Sequence, residues 1–196
     1  DALVAAGIGR ADKYRVFFPG LPTPKAIAKV TAQSALGIST DTLYITFVGR
    51  LTQIKRPDRL LDVAKECKTR GLDLRFLVAG EGELFESSKV RCQREQLNVT
   101  FFGWRSDIDQ IFAASDIAIL TSDNEGIPLT LIQAAQAGLP IVATNVGSIS
   151  DIVINESTGY LTQISAPAMA DAIEKLVRDA QLRKMMGEAG KARAAQ

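Results

Sequence analysis

The residues best equipped for chemistry fall in two short segments, Gly49 to Pro57 and Ser122 to Gln133. The first, Gly49-Arg50-Leu51-Thr52-Gln53-Ile54-Lys55-Arg56-Pro57, combines a glycine that lets a ligand approach the backbone with cations standing where a helix is about to begin. That combination suits a diphosphate. Taken alone, the segment favours the plainer reading of Arg50, Lys55 and Arg56 as solvated surface cations, which is what most such residues are. The second, Ser122-Asp123-Asn124-Glu125-Gly126-Ile127-Pro128-Leu129, follows the apolar run Ile117-Ala118-Ile119-Leu120 and continues to Gln133. It reads as a strand end, a polar loop and a helix start, where open α/β sheets place ligands. Pro128 suits an early helical position, which leaves the amides around Gly126 and Ile127 at the positive end of the helix dipole, a setting that attracts anions. Glu125 and Gln133, eight residues apart, are its polar markers.

Three further loops have small residues in comparable positions. Gly80-Glu81-Gly82-Glu83 is a tight turn whose glycines admit positive φ. It lacks the third glycine of a dinucleotide fingerprint and belongs to the second βα unit. Gly103-Trp104-Arg105-Ser106-Asp107 offers amides, an indole and a guanidinium; Trp104 either flanks a nucleobase or covers an apolar gap on the surface. Thr144-Asn145-Val146-Gly147-Ser148 precedes a helix near Asp151, and its amides either reach the same anion or form an ordinary connection with Asn145 supplying turn chemistry.

Elements with a clear periodicity position these loops. Residues 43–48, 74–79, 99–102, 117–120 and 140–143 are short β-rich runs, several apolar on both faces as in a parallel sheet covered by helices. Leu60, Leu61, Ala64 and Cys67 recur at helical spacing behind Pro57, and similar helices are expected near 84–96, 107–114, 128–137 and 167–178, followed by a charged amphipathic tail to Arg193. A helix of about ten residues is expected at 25–36. Before it, Pro19, Gly20, Pro22 and Pro24 cannot belong to a helix interior and read as a linker. The fold class is therefore α/β, a Rossmann-like parallel sheet with helices on both faces.

Composition closes off several functions. The chain has 196 residues, 46% hydrophobic, enough for one sizeable core. With 23 basic against 22 acidic residues it has no field for nucleic acid or an anionic membrane. Cys67 and Cys92 lie outside any Cys-x-x-Cys spacing and there is no histidine, so neither a structural zinc site nor a histidine base is available in this chain. Both cysteines are expected in helices as small core residues. Asp1 to Gly7 lacks the basic start and apolar core of a signal peptide, and no window approaches the ~18 apolar residues of a membrane span. A reducing, cytoplasmic setting is expected, and the glycosylation-type triplets at Asn98 and Asn155 are read as chance.

Taken in order, Phe47-Val48-Gly49-Arg50-Leu51 to Lys55, Gly80-Glu81-Gly82, Phe102-Gly103, Ser122-x-x-Glu125-Gly126-x-Pro128-Leu129, Ala137-Gly138-Leu139-Pro140-Ile141-Val142-Ala143-Thr144 and Val146-Gly147 resemble one family. It is the C-terminal, donor-binding half of group 1 (family four) retaining glycosyltransferases with the two-domain GT-B architecture. The resemblance covers residues 16 to about 194; each segment is weak alone and the ordered set is specific. Phe17-Phe18-Pro19-Gly20-Leu21 resembles the strand and turn by which such enzymes enter this domain, so residues 1–15 are expected to be a linker or a remnant of a preceding domain and 16–196 the donor-binding domain.

The resemblance implies that Arg50 and Lys55 hold the donor diphosphate and neutralise the leaving nucleotide, electrostatic stabilisation of charge that grows in the transition state. Glu125, with the amides of Gly126 and Ile127, would hold sugar hydroxyls, and Arg50, Lys55 and Glu125 form its catalytic group. Gly49, Gly80, Gly82, Phe102, Gly103, Arg105, Pro128, Leu129, Gln133, Thr144 and Gly147 complete the implied donor-binding set, with base recognition through backbone near Phe102, Gly103 and Arg105. The implied partners are a nucleotide-diphosphate sugar as donor substrate and an N-terminal acceptor-binding domain, with no cofactor and no metal. Any membrane association would come through that other domain, and this portion alone is expected to bind donor without turnover.

One position departs from the pattern. The second glutamate of the family's pair, which holds the ribose hydroxyls, falls on Gln133, and an amide offers roughly half the strength of a charge-assisted carboxylate contact. Either Gln133 is tolerated because a hydroxyl can accept as well as donate, or the chain is a degenerate, non-catalytic nucleotide-sugar binding or interaction module. A nucleotide-sugar epimerase of similar architecture fits the Glu125-Gly126-x-Pro128 turn less well.

Overall fold

The computed structural model describes residues 2–13, 20–22 and 24–195. The Phe17-Phe18-Pro19 part of the expected entry strand and turn, and Asp1, lie outside the described residues. Among the described residues six parallel strands form one sheet: β1 (Leu43–Val48), β2 (Leu74–Ala79), β3 (Val99–Gly103), β4 (Ile117–Leu120), β5 (Ile141–Thr144) and β6 (Gly159–Thr162), in the order β3-β2-β1-β4-β5-β6. The chain runs outward from β1 to β3, then crosses to the other side of β1 for β4. The loops after β1 and β4 therefore diverge and leave a crevice at the strand ends.

Burial follows that topology. β4 and β5 are buried at every position and β1 and β2 at five of six, because helices cover both faces, whereas the outer strands β3 and β6 are half-covered. β1 and β2 pair in register from Leu43 with Leu74 to Val48 with Ala79, while β1 and β4 pair through Ile45 with Ile117 and Thr46 with Ala118. The short β1–β4 ladder is where the two sides of the crevice part. Phe47, Phe76, Leu60 and Ile119 lie in one continuous core together with Cys67 and Cys92.

The helices are α1 (Ala2–Ala5), α2 (Lys29–Ala35), α3 (Pro57–Thr69), α4 (Phe85–Arg94), α5 (Ile108–Ala113), α6 (Leu129–Gln136), α7 (Ile149–Ile152), α8 (Ala166–Arg178) and α9 (Ala180–Ala194). α3 packs on α4 and α8, α2 on α5, and α6 on α9. Ser165 Oγ and Asp179 Oδ1 accept from the backbone amides of Ala168 and Leu182, at 3.1 and 2.8 Å, and so start α8 and α9. The charged tail expected after residue 178 is thus a full helix. No helix among the described residues is long and apolar enough to cross a membrane.

Three expectations shift. α2 begins at Lys29 rather than 25, and residues 24–28 stay non-helical. Pro128 stands just before α6 with φ −76° and ψ 91°, so it ends the loop instead of entering the helix. β6 has no counterpart among the expected strands: Tyr160 and Leu161 are its only large apolar residues, and a half-covered edge strand needs no longer run. Gly159 opens it because a Cβ there would lie 2.0 Å from the Ile141 carbonyl oxygen.

Candidate functional site

All five loops singled out for chemistry leave the C-terminal ends of the strands and meet along one edge of the sheet. They are joined by hydrogen bonds. Gly49 N donates to Ala79 O at 3.0 Å and Leu51 N to Glu81 O at 2.9 Å, while Gly80 N donates to Gly103 O at 2.7 Å. Asp123 N donates to Ile54 O at 2.9 Å and Ser148 N to Glu125 O at 3.1 Å. The rim from β3 to β5 is therefore continuous across the crevice.

The glycines explain how the loops come so close. A Cβ on Gly80 would sit 1.9 Å from Gly49 O, and one on Gly147 would sit 1.9 Å from Glu125 O. Both residues also have positive φ, 139° and 55°. Gly126 is different: its φ is not positive, and a Cβ there would meet nothing within 4 Å. Neither packing nor conformation requires glycine at 126, and its backbone faces open space.

Lys55 and Glu125 meet at the centre. Lys55 Nζ lies 2.5 Å from Glu125 Oε1, with side chains 19% and 7% exposed. Ser122 Oγ donates to the same oxygen at 2.5 Å. A carboxylate so largely withdrawn from water needs such partners. Lys55 closes a short 3₁₀ turn, Gln53–Lys55, and is followed by Arg56 in the left-handed region, φ 54° and ψ 58°. For a non-glycine residue that conformation costs on the order of 1–3 kcal/mol and persists only when its surroundings hold it.

Those surroundings were not singled out from the sequence. Thr121, fully buried, shares its hydroxyl hydrogen between the carbonyl oxygens of Lys55 at 2.9 Å and Arg56 at 3.1 Å. Arg59, in the first turn of α3 and 7% exposed, donates to Thr121 O at 2.5 Å and Asp123 Oδ1 at 2.6 Å. Arg56 donates to Asp123 Oδ2 at 2.9 Å and pairs with Asp58 at 2.8 Å. The Arg59 guanidinium, followed by that of Arg56, holds the Asp123 carboxyl below its ordinary range. The sequence carried one signal for Arg59: a cation in a first helical turn opposes the dipole and needs specific partners.

The remaining expected residues divide by exposure. Arg50 is exposed, and its side chain has no hydrogen bond or ion pair among the described residues, which leaves its charge available. Ile127 and Leu129 are exposed and Pro128 is buried. Arg105 pairs with Asp107 at 2.5 Å and lies 5.5 Å from the Phe102 ring centroid, while Trp104 is 71% exposed. Thr144 is fully buried and donates to Ser122 O at 2.7 Å, so its hydroxyl braces the Glu125 loop from beneath. Gln133 sits in the second turn of α6, half-buried, with no side-chain hydrogen bond among the described residues. Gly82 packs against the Leu51 carbonyl as Gly80 packs against Gly49.

Chemically, the crevice offers a free guanidinium, an ammonium that can exchange a carboxylate for an anion, a fixed carboxylate, and open backbone at Gly126. A separate concavity of about 900 Å³ lies at the opposite end of the strands, beside the Lys29–Asp116 pair that ties α2 to β4. Among the described residues no group of three or more His, Cys, Asp or Glu could hold a metal ion.

Comparison with known proteins shows the family and the fold of the chain. The family model described as glycosyl transferases group 1 matches residues 29–193. A UDP-Gal:alpha-D-GlcNAc-diphosphoundecaprenol alpha-1,3-galactosyltransferase of Escherichia coli is 33% identical over 138 residues, 68% of this chain and 36% of that protein. A D-inositol 3-phosphate glycosyltransferase of Corynebacterium diphtheriae is 33% identical, matching 91% of this chain and 45% of its own length. The chain thus spans less than half the length of these curated relatives. Among solved structures, Anabaena HepE in complex with UDP and glucose superposes with a TM-score of 0.88 at 24% identity, over 100% of this chain and 55% of that one. The C-terminal domain of a group 1 glycosyl transferase from Francisella tularensis gives a TM-score of 0.76 at 20% identity, over 87% of this chain and 92% of that one.

Proposed function

For a chain that belongs to the group 1 glycosyl transferases, we propose that the crevice binds the donor: a nucleotide-diphosphate sugar whose hexose-type sugar is transferred with retention. The observation that carries this reading is the Lys55–Glu125 pair, 2.5 Å apart beside the open space at Gly126. A diphosphate entering the crevice gives Lys55 an anion of higher charge than Glu125, and Arg50 supplies a second, unpaired cation. Glu125, released from Lys55 and still held by Ser122, then accepts from sugar hydroxyls. As the glycosidic bond breaks, charge grows on the leaving diphosphate and the two cations stabilise it more than they stabilise the ground state. That neutralisation needs no metal. The UDP complexes of HepE support this assignment of ligand class.

In this reading the acceptor is held largely by a preceding domain, and turnover needs that domain; the fraction of the relatives' length that this chain spans supports it. Two unpaired buried cysteines suit a reducing cytoplasmic setting. Titration calorimetry with UDP, GDP and ADP and their sugar forms tests the proposal. One nucleotide series should bind saturably, without need of a divalent ion. Glu125→Ala should weaken the nucleotide sugar more than the bare diphosphate, and Lys55→Ala should weaken both, each by about tenfold. Equal losses for Glu125→Ala would contradict its sugar-facing role. A second reading, a binding or interaction module without catalysis, is favoured by Gln133 alone. A folded sample that binds none of the three series would establish it over the first.

A further inference from the structure

The pair at the centre of the crevice joins two loops that leave strands on opposite sides of the switch point, and its 2.5 Å separation depends on whatever fixes those loops to each other. Arg59 and Thr121 do so at two places. The Thr121 hydroxyl reaches the carbonyls of Lys55 and Arg56, at the end of the first loop. The Arg59 guanidinium, on the helix that follows that loop, grips Thr121 O and Asp123, at the beginning of the second. Both side chains are buried, Thr121 fully and Arg59 to 7% exposure. Neither reaches Glu125 or the Lys55 ammonium. Arginine is suited to this task, since one planar fork can serve a carbonyl and a carboxylate together in a fixed geometry.

We propose that Arg59, acting with Thr121, is a positioning residue for the donor site: it clamps the strand end at Thr121 and Asp123 to the Lys55 turn and so sets the Lys55–Glu125 distance. The left-handed backbone of Arg56 is part of the same device, because Thr121 holds its carbonyl and Asp123 holds its side chain. The consequence for affinity rests on the donor reading above; the consequence for the ion pair does not.

Two measurements separate these. In the ligand-free protein, proton–nitrogen spectra of the lysine ammonium groups should show a slowly exchanging Lys55 signal, identified by its loss in Lys55→Ala. Arg59→Leu and Thr121→Val should each broaden or remove that signal while the other lysine signals persist. By calorimetry each variant should bind the nucleotide diphosphate about tenfold more weakly, and Arg59→Leu should cost nothing further in a Lys55→Ala background. Should Arg59→Leu fail to fold, Thr121→Val, which exchanges a hydroxyl for a methyl, decides alone. An unchanged Lys55 signal in a folded variant overturns the proposal, as does a further loss of affinity when Arg59→Leu is added to Lys55→Ala. If the unaltered protein binds no nucleotide, the donor reading fails and the Lys55 signal still decides the positioning role.

Discussion

At the scale of single residues, the crevice is made of groups whose partners leave some free and bind others tightly. Arg50 and Gln133 have no side-chain partner among the described residues, whereas Glu125 has two. Gln133 stands where the resemblance implies a glutamate. A carboxylate there would accept from ribose hydroxyls through charge-assisted bonds, about twice as strong as those of an amide. Gln133→Glu is therefore expected to tighten nucleotide-sugar binding several-fold by calorimetry, and an unchanged or weaker affinity would show that Gln133 does not face the ribose. Gly126 was legible as a glycine but not as an open one. Only the surroundings show that a Cβ there meets nothing within 4 Å, in contrast to Gly147.

At the scale of elements, loops rather than helices carry the precision. The β5–α7 loop presses its backbone against Glu125 through Gly147, and the β5 end holds the same loop through Thr144. Gly147→Ala must move one backbone past another and adopt a strained φ, so it should lower stability by more than about 1 kcal/mol in a urea melt and weaken nucleotide-sugar binding too. Gly126→Ala should leave the melt unchanged and weaken only the ligand, because its methyl enters the space a donor would use. A loss of stability in Gly126→Ala equal to that in Gly147→Ala would refute this distinction. The strands were legible as β-rich runs and the long helices by their periodicity. β6 was not, since four residues with two large apolar side chains give no periodic signal; its pairing with β5 through Gly159 and Ile141 makes it a strand.

At the scale of the whole molecule, arginine–carboxylate pairs tie neighbouring helices together. Arg70, at the C-terminal cap of α3, meets Asp171 and Glu174 on α8, and Arg91 on α4 meets Asp62 on α3 and Glu95 at its own C-terminal end. Arg91 holds the Glu95 carboxyl down at about 2, and Arg56, Arg105, Arg59 and Arg178 lower those of Asp58, Asp107, Asp123 and Glu174 respectively. Each folded value lies below the unfolded one, so the stability they contribute is complete above the unfolded carboxylate range and is lost as pH falls through the folded values. The thermal midpoint should hold steady from neutrality to about pH 5 and fall between about pH 4 and 2. A midpoint unchanged down to pH 3 would show that these partly exposed pairs contribute nothing measurable. By itself the sequence determined the α/β class, the strands at the centre of the sheet and the loops that rim the crevice, because hydrophobic periodicity and glycine placement are local signals. The tertiary structure alone decided that Lys55 pairs with Glu125, that Thr144 braces rather than lines the crevice, and that Arg59 and Thr121 clasp its two sides. Those contacts join residues more than sixty positions apart in several cases, Arg59 with Thr121 and Lys55 with Glu125 among them, and only the strand order β2-β1-β4 brings them within hydrogen-bonding reach.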